Sequence, residues 1–544
     1  MSALPCSLAT RSSNTGLEML ASPFRVHTIA PVTMNWLSTF LLLLLPVLAL
    51  AGPSFSPMFT DGAVLQQGCN VPVWGRAEPG EHVTVSFQDQ QIGATTDADG
   101  NWQVLLSPLT ADASESELRI QGSTTLTLHR ILVGEVWLCV VQGESQASLG
   151  QVEAAHTEAS DRPLPPLRYM DLSTGRIQGP TPQVCPAWAD ASTARAPFSS
   201  FEAFFFARHL QRKIAVPIGI IQVSVSSGNP AAWLSPAAIK SNPQLSFIPQ
   251  HWAEEQATYP GKIQAFQLAT AEWKKGEQKA KEAGPAKLAA FHQKKHFPPE
   301  PLLTAPCAYF EQFLTHIVPY SLRGISWHET KTTALHAAEY EATLRALIQS
   351  TRAHFGSPAL AFIIVQLGPQ PIESDVQIEN GALLRHAQSA ILDIPNTQLV
   401  VSLDLGDAKS VHPFTPQELA RRLGQTALGT IYNLDVEYRG PSVRQAVFEH
   451  GKLRVDFDHA STGLIAYKKP VQDLEVAGAD GKFYPATALI HGSSLAISCP
   501  KVNGPQTIRY AWNKAPYANL ANGAGLPAAP FVFQLIQGQV PPAQ

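Results

Sequence analysis

Between about residues 131 and 433 the chain alternates short apolar runs of strand length with stretches of helical period. That alternation constrains the fold more than any other feature. The strand-like runs are Val136–Val141, Pro217–Val223, Gly324–Trp327, Ala361–Val365 and Gln398–Leu403. Between them, Phe201–Leu210 carries a helical pattern, Ala337–Phe355 places Tyr340, Leu344, Leu347 and Ile348 on one face, and a further helix begins at Pro416. Such a succession predicts a parallel sheet with helices on both faces, and a site in the loops at the strand C-termini. Residues 249–300 interrupt it with a Lys-, Glu-, Gln- and Ala-rich insertion, expected as one or two exposed helices broken at Gly284-Pro285. Its interspersed glutamates favour a solvated helical face over a basic nucleic-acid arm.

On either side the rhythm is that of short strands and turns. Residues 52–130 contain Val71-Pro72-Val73-Trp74, the period-two run His82–Phe87 and Trp102–Leu105, separated by Glu78-Pro79-Gly80-Glu81 and Asp97-Ala98-Asp99-Gly100. This predicts an N-terminal β-sandwich. Residues 434–536 return to the same rhythm (Gly451–Phe457, Leu474–Gly478, Leu495–Ile497) and predict a C-terminal β domain, followed by a tail at 537–544. The α/β domain is thus assigned to 131–433. Within residues 1–51, the apolar run from Trp36 through Leu41–Leu45 ends in Ala49-Leu50-Ala51, a small-x-small cleavage pattern before Gly52. Residues from about 34 to 51 read as a signal peptide, preceded by an extension without pattern. Export to a periplasmic, envelope or extracellular location is expected, with no membrane span after signal removal.

A net charge of −4 offers no electrostatic footprint for nucleic acid, so no nucleic-acid partner is expected. Cys69, Cys139, Cys185, Cys307 and Cys499 follow the signal, and none forms Cys-x-x-Cys, which excludes zinc-ribbon and thioredoxin readings. Their odd number leaves at least one free thiol, and mid-strand Cys139 reads as a small buried hydrophobe. His328-Glu329 lacks the spaced histidine of a zincin helix. Neither a metal nor another cofactor is expected.

Residue by residue, the best-placed functional candidate is His412. Asp404-Leu405-Gly406-Asp407 ends a buried strand, Val411-His412-Pro413 follows, and Thr415-Pro416-Gln417-Glu418 reads as a capping box with proline in the first helical turn. His412 is therefore expected in a short strand-to-helix loop at the C-terminal edge of the sheet.

Several stretches together resemble one known family. They are Gly134-Glu135-Val136-Trp137-Leu138-Cys139 with Val140-Val141-Gln142-Gly143-Glu144-Ser145, Thr60–Gln66, Asp99-Gly100-Asn101-Trp102, and the Asp404–His412-Pro413 block. Pro505–Trp512, Asn519-Leu520 and Leu526–Phe531 complete the set. The chain resembles the sialate O-acetylesterase family of SGNH (GDSL-type) carbohydrate esterases over nearly its whole mature length. The resemblance implies an SGNH-hydrolase (flavodoxin-like) core between two β domains. It also implies cofactor-free hydrolysis of O-acetyl esters on sialic acid or related glycans.

Serine ester hydrolysis needs an accessible hydroxyl, a histidine to take its proton, a group orienting that histidine, and donors for the oxyanion. By the resemblance, His412 is the general base. Where the family often carries an acidic residue shortly before that histidine, Lys409 and Ser410 stand here; of the nearby carboxylates Asp404 and Asp407, Asp407 is chosen to orient the imidazole, its other role being to satisfy turn amides. Aligned without a gap, Gly143 falls at the family's nucleophile; with two inserted residues Ser145 does. The family's Trp-Gly-Gly-Thr oxyanion segment is Val225-Ser226-Ser227-Gly228 here, leaving Ser226 or Ser227 as backbone donors. Its asparagine position is occupied by Glu311, a carboxylate that cannot donate. Its Gln-Gly-Glu run has become Glu329-Thr330-Lys331. Losing one oxyanion donor costs on the order of 3–4 kcal/mol, so impaired turnover on a preserved scaffold is expected. The alternatives are a non-catalytic glycan-binding pseudo-esterase and an envelope scaffold acting through its β domains.

Overall fold

The computed structural model describes residues 52–142, 165–173, 187–191, 200–225, 228–292, 304–329, 336–369, 380–406, 416–449, 452–467, 470–513 and 515–535. The N-terminal residues form two antiparallel arrays. One orders Ser54–Phe55, Val71–Arg76 and Asn101–Leu106; in the other, His82–Phe87 lies between Gln90–Thr95 and Asp112–Gln121. Alternating burial along Val71–Arg76, His82–Phe87 and Asn101–Leu106 gives each strand one inner face, as their period-two sequences require.

Strand β1 (Thr125–Gln142) is 18 residues long. Its first half pairs with Asp112–Gln121 and with Val64–Gln66, and its second half enters the central sheet. It continues across 130/131, where the sequence reading puts a domain boundary, with a register irregularity and a left-handed Arg130 (φ +60°) at that point, so the two regions share one strand. The polar alternation of Thr125–Arg130 and the apolar run that follows belong to the same element because its two halves meet different neighbours.

The central sheet adds β2 (Leu167–Asp171), β3 (Ala189–Asp190), β4 (Ile218–Val225), β5 (Gly324–Glu329), β6 (Ala361–Val365) and β7 (Thr397–Val400). The spatial order is β3-β2-β4-β1-β5-β6-β7, parallel throughout except for the short edge strand β3. Counting only β1, β4, β5, β6 and β7 gives the order 2-1-3-4-5 of a doubly wound sheet, in which the chain reverses direction of travel beside its first strand.

Helices α1 (Phe201–Ile214) and α5 (Pro416–Thr430) cover one face. Phe205, Phe206, Leu210, Leu419 and Leu423 pack there with Trp137, Ile220 and Val365. Helices α3 (Ala337–His354) and α4 (Asn380–Ala390) cover the other, where Tyr340, Leu344 and Leu384 meet Leu138, Ile325 and Phe362. The insertion is α2 (Phe247–Glu282), in which Ile248 is the buried residue, and a short helix Pro285–His292; the break falls at Gly284, whose φ is +105°. The C-terminal strands form two four-stranded antiparallel sheets, Ser442–Glu449 with Lys452–Asp458, Ser494–Ser498 and Thr487–His491, and Phe483–Pro485 with Leu474–Ala477, Thr507–Tyr510 and Phe531–Gln534, beside the antiparallel pair Leu464–Ala466 and Leu520–Asn522. Val455, Leu495, Ile508 and Tyr510 fill their common core. Among the described residues no helix is long and apolar enough to cross a membrane.

Candidate active site

The C-terminal edge of the parallel sheet gathers the ends of β1, β4 and β5. Gln142 closes β1 directly opposite Val225 of β4 on one side and Glu329 of β5 on the other. All three are buried. Ser145, Ser226, Ser227, Asp407 and His412 lie outside the described residues. The structure therefore describes the strand ends from which those segments leave, and their partners.

Gln142 is held by Trp233, whose Nε1 donates to Oε1 at 3.2 Å. Trp233 ends the single turn Pro230–Trp233, capped by the Asn229 side chain, which accepts from Ala231 N at 3.1 Å and donates to Thr304 O at 2.7 Å. Its ring packs edge-on to Trp327 at 5.2 Å and stacks on Phe313 at 5.8 Å. An aromatic wall thus fixes the amide at the end of β1. The Phe310–Leu314 turn that supplies Phe313 also carries Glu311, whose side chain is exposed and whose N–H donates to Cys307 O at 2.9 Å.

Glu329, beside Gln142, accepts from the Tyr340 hydroxyl at 2.8 Å, and that hydroxyl in turn accepts from Gln388 Nε2 at 3.1 Å. Gln388 Oε1 takes the N–H of Leu367 just beyond β6 at 2.8 Å. Burial first, and the Glu329 carboxylate second, push the Tyr340 phenol well above its ordinary range, so it stays a neutral donor. This relay pins the Glu329 carboxylate at the end of β5.

A second pair lies on the opposite face of β5. His328 Nδ1 is 2.5 Å from Glu202 Oε2, and both side chains are buried. Glu202 sits in the first turn of α1, whose N-cap Ser200 accepts from Ala203 N at 3.3 Å. A carboxylate there complements the helix N-terminus. Burial, and secondarily the Glu202 carboxylate, push the neighbouring Cys139 thiol far up, so Cys139 is the inert buried thiol its mid-strand position predicts. The sequence reading missed this pairing. An acidic residue in a helical first turn was visible, but nothing local ties it to His328.

After β7 the chain turns at Ser402 and Leu405, whose N–H donates to Ser402 O at 3.0 Å. Asp404 receives Arg422 Nη1 and Nη2 in a two-pronged ion pair, each bond 2.7 Å, and Arg422 Nη1 also donates to Val401 O at 2.9 Å. Burial lowers the Arg422 guanidinium, but its bonds to Asp404 and Glu418 outweigh that and leave it above its ordinary value. The strand end that precedes Asp407 is therefore clamped to α5. Among the described residues no group of three His, Cys, Asp or Glu is arranged to hold a metal ion.

Comparison with known proteins agrees with this architecture. Residues 308–430 match the family model described as a carbohydrate esterase, sialic acid-specific acetylesterase. The chain is similar to the mouse sialate O-acetylesterase, 22% identical with 89% of this chain and 95% of the mouse protein covered. It is likewise similar to the human one, 23% identical with 88% and 92% covered. Among solved structures, a carbohydrate acetylesterase from Xanthomonas citri superposes with a TM-score of 0.71 at 27% identity, over 88% of this chain and 99% of that one. The family resemblance carried by the motifs is borne out over most of the chain.

Proposed function

We propose that this relative of the sialate O-acetylesterases is an SGNH-type carbohydrate esterase that hydrolyses O-acetyl esters on sialic acid or related glycans with weakened turnover, and that it acts after export. The observation that carries the reading is the meeting of three strand ends at one edge of a 2-1-3-4-5 parallel sheet, with Gln142 held by Trp233 and the Asp404 turn clamped to α5. In this reading Ser145 Oγ attacks the acetyl carbonyl while His412 takes its proton, and Asp407 orients the imidazole. His412 then returns the proton to the departing sugar oxygen, and a water activated by the same imidazole releases acetate. The backbone N–H of Ser226 or Ser227 serves the oxyanion. The added side chains there, and Glu311 in place of an asparagine donor, weaken that stabilisation.

A non-catalytic glycan-binding protein is the second reading, favoured by the buried Glu329 carboxylate at the end of β5. Covalent labelling with a fluorophosphonate, followed by peptide mass mapping, separates the two. An adduct on Ser145 that disappears in His412→Ala supports acyl transfer. A folded protein without an adduct on Ser145 contradicts it and leaves the binding reading standing.

A further inference from the structure

A cleft of about 540 Å³ opens between the turn after β7, the start of α5 and the C-terminal β strands. Its walls include Tyr467 and Tyr517, which are 40% and 48% exposed although both are large aromatic side chains. Only one other aromatic, Phe448, is comparably exposed among the described residues. Asp404, Glu418, Arg421 and Arg422 line the cleft as well. Gly406, which also lines it, directly precedes Asp407 in the chain.

Among the described residues the charges in this cleft cancel, two guanidinium groups against two carboxylates, and each cation is paired with a carboxylate. Arg421 gives Nε and Nη2 to Glu418 at 2.7 and 2.6 Å and Nη1 to Gln425 Oε1. Arg422 gives Nε to Glu418 at 3.0 Å and both Nη groups to Asp404. An incoming carboxylate would compete with Asp404 and Glu418 for cations that they already neutralise, and would be repelled by both. The carboxylates, by contrast, keep acceptor capacity. Each has about four lone-pair sites; three arginine bonds fall on Glu418 and two on Asp404. Hydroxyl donors suit the sites left over. Exposed tyrosine rings present the flat faces on which the C–H face of a pyranose stacks.

We propose that this cleft is a binding subsite for a neutral, uncharged pyranose unit of the glycan, positioned beside the segment that leads to His412. The proposal rests on the esterase reading for its location but not for its test. A sialic acid unit, if it is the acetylated residue, lies outside this subsite, and the sugar held here is uncharged.

The experiment is calorimetric titration of the unsubstituted protein with cellotetraose, xylotetraose and N-acetylneuraminic acid, none of which carries an O-acetyl ester to turn over. At least one neutral tetrasaccharide is expected to bind, and Tyr467→Ala and Tyr517→Ala should each weaken it roughly tenfold with thermal melting unchanged. Glu418→Gln should weaken it as well, since it exchanges a hydroxyl-accepting carboxylate for an amide. Binding of N-acetylneuraminic acid in preference to both tetrasaccharides overturns the assignment to neutral sugars, as does binding that survives both tyrosine substitutions. Absence of saccharide binding in a folded protein that still forms the Ser145 adduct in its unsubstituted form overturns the subsite while leaving the esterase reading intact.

Discussion

His209 illustrates how burial sets the chemistry of a single side chain here. It lies on α1 against α5, and burial first, then Lys213, Arg421 and Arg212, lower its pKa from 6.5 to about 4. The folded state therefore holds it neutral, while the unfolded chain takes up a proton below 6.5. Stability present above that pH is lost as pH falls from 6.5 towards about 4, and the loss levels off below it. Melting temperatures measured across this window should decline less steeply for His209→Gln than for the unsubstituted protein; identical slopes would contradict the assignment. Residues like this show where sequence stops being legible. Cys139 reads as buried because its strand neighbours are apolar, whereas the Glu202–His328 pair joins positions 126 apart, and its existence depends on how α1 docks against β5. Glu311, chosen from the motif as a lost oxyanion donor, is exposed on its turn. The candidate triad itself, Ser145, Asp407 and His412, falls outside the described residues, so its placement rests on the flanking strand ends.

At the scale of elements, the apolar periods predict which segments form but not where neighbours end them. β6 and the start of α5 fall where the pattern puts them. β7 stops at Val400 rather than Leu403, because the carbonyl of Val401 is taken by Arg422 and the hydroxyl of Ser402 donates to Gln366 O at 2.8 Å. Both are tertiary bonds invisible to a periodicity. The packing of α1 on α5 depends on Gly424, where a Cβ would fall inside van der Waals contact of the His209 ring. Gly424→Ala should destabilise the protein by about 1–3 kcal/mol through overpacking, even though alanine favours a helix interior by about 1 kcal/mol. Urea unfolding measures the sum, and a stabilised variant would show that the two helices part easily. Pairing it with His209→Ala should recover most of the loss, since the clash is between those two positions.

At the scale of the molecule, one buried cluster ties the N-terminal strands to the α/β sheet. Glu135 of β1 receives Arg323 Nε and Nη2 at 2.6 and 3.0 Å, Gln67 Nε2 at 2.6 Å and the Tyr432 hydroxyl at 3.0 Å. Its side chain is 1% exposed. Arg323→Ala leaves that carboxylate without its cation and should cost about 3–5 kcal/mol, read as a lowered urea midpoint; a loss under about 1 kcal/mol would mean that the remaining donors suffice. The β–α/β–β succession was legible because period-two and period-3.6 patterns change at visible places. The shared strand β1 was not, since its polar first half and apolar second half resemble two elements. Trp137, which donates to the Tyr432 hydroxyl at 3.1 Å, anchors the same strand whose far end, Gln142, meets Glu329 at the sheet edge. The most direct measurement is acetate release by the chain beginning at Gly52, on O-acetylated sialic acid and on an aryl acetate, alongside Ser145→Ala. Slow release above the buffer rate, abolished by the substitution, is the predicted result. Release that survives Ser145→Ala, or none from either folded protein, would contradict the account.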